Sequence, residues 1–414
     1  MESKSSFYET LETLFPSFKR ICIVTNCFPP YPKNAYLLSV GGIPKKYEQI
    51  VEELRHFRKE SSVISLYYGK ATEQQDYPNV RRIGVYHPYS LSKWRRILFF
   101  FELFNPLVFP KCVTVLSKDR SDAVIIGETR GISLAPIIAA KLLHLPVVVQ
   151  HDWLCPSSPK KEACNPAMRV RNCGECLEEE LMSKQSCVIK LVFGVFSAFM
   201  LVVKKNLWNS CQVLAEGDYF RNLYVASGIT PERIHIAPPS PTVFGSTNYD
   251  RRFMNQVRTT VGDAKVIAYV GRLSAEKGIR LLLESFRILK HRKNGAIRLI
   301  IAGDGTLHDL VMKEAENDLD IVFLGWLDKN ALSCVYSVAD IVVIPTIRPE
   351  AYPHVALEAL SFGKKVIGFK MGGLVEIAQK NELVKLVEKV DAASLADMIV
   401  SAIYTSVKFK GIEK

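Results

Sequence analysis

From Lys265 onward the chain repeats one alternation: a short apolar, β-branched run, a turn marked by glycine or proline, then a segment of helical periodicity. Runs of this kind fall at residues 266–270, 297–302, 321–324, 340–344 and 365–367. Each is apolar but for single charged residues at 298, 340 and 365, the pattern of a strand covered on both faces. Helical segments lie between them, notably 279–289 with apolar Leu281, Leu282, Phe286 and Leu289, and 394–404 near the end. Parallel strands need long crossovers, so the alternation predicts a doubly wound, mostly parallel sheet. Its strand ends, Gly271-Arg272, Gly303-Asp304-Gly305, Gly325-Trp326 and the loop 345–350, then gather on one edge.

The first half carries the same signal more sparsely. Strands are expected at 20–25, 62–66, 123–126 and 146–150. The first runs into a Pro-rich loop, then Gly41-Gly42, then a helical pattern with Tyr47, Ile50, Val51 and Leu54. Strand, glycine turn and helix suit an anion near the turn, although a glycine pair is also an ordinary tight turn. No G-x-G-x-x-G is present, which argues against a dinucleotide fold. The strand at 146–150 ends at His151-Asp152, where ligands bind in open α/β sheets.

With 414 residues the chain has room for two domains, and the best boundary is the Pro-rich stretch 236–242. The division reads as a first domain 1–241, with a cysteine-bearing insertion at about 155–187, a linker 242–262 and a second domain 263–414. No run of eighteen apolar residues and no secretory leader are found, and ten dispersed cysteines suit a reducing cytoplasm.

Two motifs in the second half carry chemistry. Glu350-Ala-Tyr352-Pro353-His354-Val-Ala-Leu-Glu358 sets two carboxylates around a helix start: Pro345 and Pro349 break the preceding strand, and Pro353 suits a first helical turn. The junction offers free N–H groups to an anion, while ionised carboxylates accept hydrogen bonds from polyols. The bland alternative is a capping and a solvated glutamate. Gly271-Arg272-Leu-Ser-Ala-Glu-Lys277-Gly278 sends a guanidinium and an ammonium from one strand end, enough to neutralise a diphosphate. The bland alternative there is two surface cations beside Glu276.

Cys155, Cys164, Cys173 and Cys176 form a C-x8-C-x8-C-x2-C cluster, either a candidate structural zinc site or a loop of free thiols; only its C-x2-C half has typical spacing. Residues 1–205 hold 28 Lys and Arg against 19 Asp and Glu, a net of +9, while the remainder nets +3 from 26 against 23. A basic first half favours anionic partners. Without zinc-finger or RNP patterns, nucleic acid is the weaker option. Lys93-Trp94-Arg95-Arg96 leads into the apolar run 97–104, and Lys204-Lys205 follow the apolar run 191–203. Both runs are too short to span a membrane; each could lie on an anionic surface or be a buried helix.

Glu350-x7-Glu358 with Ala359, Gly363, Gly372-Gly373 and Glu376, together with the Arg272/Lys277 pair, resembles the donor-site signature of retaining GT-B glycosyltransferases, family 4. The resemblance spans roughly residues 20–400 and is specific over 267–377. It implies two Rossmann-like domains facing a central cleft, and a hexosyltransferase needing no metal for catalysis. The donor is a nucleoside diphosphate sugar and the acceptor lipid-linked or a glycan, with the enzyme cytoplasmic or peripheral on the inner membrane face. It also implies that Glu350 holds the sugar, Glu358 the ribose, Arg272 and Lys277 the diphosphate, and that His151 lines the sugar pocket. Gly41, Gly42, Gly271, Gly303, Tyr352, Pro353 and His354 would line the donor. Alternatives are a GT-B epimerase or phosphorylase, or a non-catalytic membrane scaffold. Pro239-Ser-Pro241 stands where the family has Asn-Gly, and the C-terminal region is short.

Overall fold

A computed structural model of the chain describes residues 6–25, 42–67, 80–84, 104–127, 133–150, 195–196, 199, 202–239, 250–292 and 296–404. They fall into two compact units, Met1–Ser240 and Pro241–Lys414.

The first unit carries strands β1 (Arg20–Thr25), β2 (Glu60–Tyr67), β3 (Val80–Gly84), β4 (Ala123–Ile126), β5 (Val147–Val149), β6 (Gln212–Ala215) and β7 (Ile234–Ile236). They form a parallel sheet of order β3-β2-β1-β4-β5-β6-β7. Its helices include α1 (Ser6–Leu14), α2 (Gly42–His56), α3 (Phe109–Asp119), α4 (Ala135–Leu142) and α5 (Asp218–Ala226). Ile21, Cys22, Ile23 and Val24 are all buried, as an apolar run on a central strand requires. The strands at 80–84, 212–215 and 234–236 have no such run: β3 is Val-Arg-Arg-Ile-Gly and β7 is Ile-His-Ile, so neither stands out from loop by pattern.

The second unit carries β8 (Lys265–Val270), β9 (Ile297–Ala302), β10 (Ile321–Gly325), β11 (Ile341–Ile344), β12 (Lys365–Phe369) and β13 (Val384–Val387). All are parallel, in the order β10-β9-β8-β11-β12-β13. Its helices are α6 (Arg251–Val261), α7 (Ile279–Arg292), α8 (His308–Asn317), α9 (Lys329–Val338), α10 (His354–Ser361), α11 (Gly373–Lys380) and α12 (Ala392–Tyr404). Alternate strand residues serve opposite layers. Ile267, Tyr269, Ile301, Val343 and Phe369 pack with Leu282, Phe286, Leu395 and Ile399 of α7 and α12. Val266, Ala268, Ile300, Val342 and Val366 pack with Val257, Val335, Ala356 and Ile377 of α6, α9, α10 and α11. Two buried faces are why these strands read as continuous apolar runs.

Two boundaries differ from the sequence reading. Residues 251–261, inside the stretch expected to be linker, are helix α6. The Asp250 side chain caps it by accepting from the Phe253 amide (3.0 Å), and Val257 and Val261 are buried against the second sheet. The helix is short and strongly amphipathic, and its apolar stripe is easily lost among its three arginines. Asp340, expected to open β11, instead stands before it. Its carboxylate accepts from the Val266 amide (2.8 Å) and from Lys265 Nζ (2.9 Å), tying β11 to β8.

Candidate functional site

In the second sheet the strand order turns back between β8 and β11. Ligands of open α/β sheets bind outside the carboxyl ends of the strands at such a switch point. The loops leaving these two strands are 271–278 and 345–353, the two that bear the motifs. They are laced by backbone. The Ile347 amide donates to the Glu276 carbonyl (3.0 Å), and the buried Thr346 hydroxyl donates to the carbonyls of Glu276 (3.2 Å) and Arg348 (3.0 Å). Gly278, at φ +71°, lies where a Cβ would stand 1.8 Å from the Pro345 carbonyl oxygen. Only glycine lets the two loops approach this closely.

That approach brings Lys277 to Glu350: Nζ lies 2.7 Å from Oε2, with both side chains about one quarter exposed. The other carboxylate oxygen of Glu350, Oε1, is buried and has no hydrogen-bond partner among the described residues. A buried acceptor without a donor is costly unless a ligand or water supplies one. The Glu350 backbone is fixed from behind by Gly372-Gly373. The Gly373 amide donates to the Glu350 carbonyl (2.8 Å), and a Cβ on Gly373 would stand 1.9 Å from the Ala351 carbonyl oxygen.

The remaining motif residues surround this pair. Arg272 leaves the end of β8 exposed, its carbonyl accepting from Tyr269 Oη at 2.7 Å. Burial, and then the carboxylates of Glu350 and Glu276, push the Tyr269 phenol far up, so it stays a neutral donor. Glu276 resists its own partial burial: the Ser274 hydroxyl (2.7 Å), its own amide and the charges of Arg272 and Lys277 hold its carboxyl below the usual range. Gly303 packs on the Gly271 carbonyl, where a Cβ would stand 1.8 Å away. Asp304 accepts from the Gly305 amide (2.7 Å) and pairs with His308 Nδ1 (2.9 Å), closing a strand-to-helix turn.

Helix α10 starts at His354, with Pro353 at the N-cap and no side chain capping it, so its first amides point out at the anion end of the dipole. Tyr352 is buried beneath that turn. Glu358, mid-helix, accepts from the hydroxyl of Tyr336 on α9. Tyr336 is buried, and burial followed by the Glu358 charge raises its phenol well above the ordinary value. Tyr336 and Thr346 were given no role in the sequence reading, Tyr269 entered it only inside a strand, and Gly278 only as the end of the Arg272–Lys277 motif. Tyr336 lies 22 residues from its partner with no motif to join them.

In the first unit Gly42 is the first residue of α2. Gly41, His151 and the cluster Cys155, Cys164, Cys173 and Cys176 lie outside the described residues, as do residues 93–96 and 97–103. Among the described residues there is no metal-holding group of His, Cys, Asp and Glu and no helix long and apolar enough to cross a membrane. Cys22, Cys112, Cys211 and Cys334 are buried free thiols, and burial pushes Cys22 and Cys112 up to about 12. Thiols so placed are inert.

Comparison with solved structures gives the class. The crystal structure of Anabaena HepE in complex with UDP-glucose matches with a TM-score of 0.61 at 17% identity, over 93% of this chain and 90% of that one. The fold of the chain is GT-B. The sequence model described as glycosyl transferases group 1 matches residues 250–406. An uncharacterised glycosyltransferase of Methanocaldococcus jannaschii is 25% identical over 377 residues, 86% of this chain and 82% of its own length. The lipopolysaccharide 1,2-N-acetylglucosaminetransferase of Salmonella typhimurium is 29% identical over 45% of this chain and 50% of its own. The match to the group 1 glycosyl transferase model thus falls on the second unit, which bears the Lys277–Glu350 pair.

Proposed function

We propose that the chain is a retaining glycosyltransferase that moves a sugar from a nucleoside diphosphate sugar to a hydroxyl acceptor. The observation that carries this reading is the Lys277–Glu350 pair at the switch point, with Glu350 Oε1 buried and unpartnered. A carboxylate held in this way offers its second oxygen to a ligand donor, and a sugar hydroxyl is such a donor. Lys277, Arg272 and the open amides at the start of α10 neutralise the diphosphate as it departs. Glu358, held by Tyr336, takes the ribose hydroxyls. His151, outside the described residues, is assigned to the sugar by the family resemblance alone.

Without donor, the ion pair holds Lys277 and Glu350 in place. With donor, Lys277 turns to the phosphate and Glu350 to the sugar. The bond from the anomeric carbon to the phosphate oxygen breaks, and a bond to the acceptor oxygen forms on the same face. The acceptor proton passes to the leaving phosphate, so no separate protein base is required.

The name of the Salmonella relative, a lipopolysaccharide transferase, supports an acceptor among glycolipids or glycans. The basic first half and residues 93–104 support docking of that unit on an anionic membrane surface. Phe104, the one residue of that stretch described, is exposed and tilted against Phe109. The cysteine cluster, if it holds zinc, is a closed structural site, because four thiolates leave no open position.

The test pairs two variants over a panel of UDP-, GDP- and ADP-sugars. Lys277→Ala should cost on the order of 2–4 kcal/mol of transition-state stabilisation. Glu350→Gln should impair use of the sugar donor and leave binding of the free nucleoside diphosphate nearly unchanged. Equal loss of free nucleotide binding in both variants contradicts the assignment, and absence of transfer or donor hydrolysis with every sugar overturns the enzyme reading.

A further inference from the structure

Strand β8 reads Lys-Val-Ile-Ala-Tyr-Val, and among its buried residues Tyr269 alone has a polar atom on its side chain. Its ring lies in the apolar layer shared with α7 and α12, where a phenylalanine would fill the same space. A buried hydroxyl is costly unless it is hydrogen-bonded, so the oxygen that distinguishes the two side chains must find a partner. That partner is the carbonyl of Arg272, three residues on and past the end of the strand, at 2.7 Å. Burial and the nearby charges of Glu350 and Glu276 keep the phenol protonated, and so keep it a donor.

The contact falls at the start of the loop that bears Arg272 and Lys277. The Arg272 carbonyl accepts a second time, from the Ser274 amide at 3.1 Å, so two donors turn this peptide inward over the buried ring. On either side the main chain is tied to the neighbouring strand end: the Gly271 amide donates to the Ala302 carbonyl (3.0 Å) and the Leu273 amide to the Asp304 carbonyl (2.9 Å). Leu273 is buried, and Arg272 is exposed. Lys277 is paired with Glu350, but Arg272 forms no ion pair among the described residues. An arginine that no acid holds keeps its direction through its backbone, whose dihedrals fix the Cα–Cβ bond and limit the rotamers.

We infer that Tyr269 is a positioning residue: through its hydroxyl on the Arg272 carbonyl it aims the guanidinium at the diphosphate of the donor. The inference rests on the proposed donor site and adds how its unpaired cation is held. The two cations of the motif are then placed by different means. Lys277 is held side chain to side chain by Glu350, a contact given up when the donor arrives. Arg272 is held through main chain by a phenol beneath the loop, a contact that persists with the donor bound. Arg272 is thus the cation set in place before binding, and a charge placed in advance costs no reorganisation when the diphosphate departs.

Isothermal titration of the full chain with UDP, GDP, ADP and inorganic pyrophosphate tests this, using wild type, Tyr269→Phe, Arg272→Ala and the double variant. Phenylalanine keeps the packing and the Ser274 amide still holds the carbonyl, so Tyr269→Phe should fold as wild type does. It should weaken pyrophosphate and the nucleoside diphosphate that wild type binds by roughly 3- to 10-fold. Arg272→Ala should lose more, and the double variant no more than Arg272→Ala alone, because the tyrosine acts through that one side chain. A tyrosine that only shapes the loop gives the opposite result, a loss that multiplies with that of Arg272→Ala, and this overturns the inference. Binding by Tyr269→Phe equal to wild type, while Arg272→Ala is impaired, also overturns it and leaves the donor site standing. If Arg272→Ala binds as wild type does, or wild type binds none of the four, the donor-site reading falls and this inference with it.

Discussion

At the carboxyl end of the second sheet, backbone packs on backbone; at the same end of the first, side chains do the filling. Glycines 278, 303, 305, 372 and 373 press the loops of the second unit together, and Lys277, Glu350, Arg272 and Trp326 stand clear of them. In the first unit Tyr47 of α2 lies across Gly127, where a Cβ would stand 2.5 Å from its ring, and donates to the Gln150 carbonyl at 3.0 Å. Beside it Lys46 pairs with Glu216 at the end of β6, both more than nine-tenths buried. Two sheets of one topological type thus use their ligand-bearing edges differently. The edge sealed by main chain leaves its Lys277–Glu350 pair about one quarter exposed, whereas the described part of the first edge buries its Lys46–Glu216 pair.

The largest expected effect lies in the first unit. Glu216→Leu leaves the Lys46 ammonium buried without its carboxylate and should cost about 3–5 kcal/mol in urea unfolding. Adding Lys46→Met should recover most of that loss. A double variant no better than the single would mean that the pair is not a closed structural unit.

Gly278→Ala comes next. It places a methyl group on the Pro345 carbonyl and forces alanine to φ +71°, so about 3 kcal/mol of stability should go, with transferase activity. Gly363→Ala, at φ +66° with nothing within 4 Å, is the control and should cost only about 1 kcal/mol. Equal effects at both positions would break the claim that close approach, rather than backbone conformation alone, shapes the second edge.

Glu53 of α2 gives the first unit a pH dependence. Burial raises its carboxyl to about 7, against the lowering effect of the hydrogen bond from the Tyr8 amide. The folded state therefore holds a proton that the unfolded state has lost, and stability falls as pH rises from about 4.5 to about 7, then levels. Glu53→Gln keeps an acceptor for the amide and should abolish this slope, adding about 2 kcal/mol at pH 8. Urea midpoints across that range check it; an unchanged slope would locate the titration elsewhere.

The smallest effect is expected at Tyr336→Phe. It removes the hydroxyl that Glu358 accepts from, and should cost about 1 kcal/mol of stability and a few-fold in nucleotide affinity. Retained affinity would mean that Glu358 is placed by α10 alone.

Local pattern sufficed for the apolar strands, because a residue buried on both faces of a sheet leaves its mark on its own neighbours in sequence. Runs 266–270 and 297–302 therefore announced β8 and β9, and Pro353 announced the start of α10. The same locality hid β7, three residues long, and α6, whose apolar stripe is thin. Sequence also singled out the charged residues of the second edge, since Arg272, Lys277, Glu350 and Glu358 each sit in a short motif. It did not say that Lys277 would meet Glu350, that Tyr336 would hold Glu358, or that Lys46 would find Glu216 170 residues away. Those pairings follow from strand order. Which two loops share a switch point is decided only when the sheet assembles, with parallel strands about 4.8 Å apart carrying distant segments into contact.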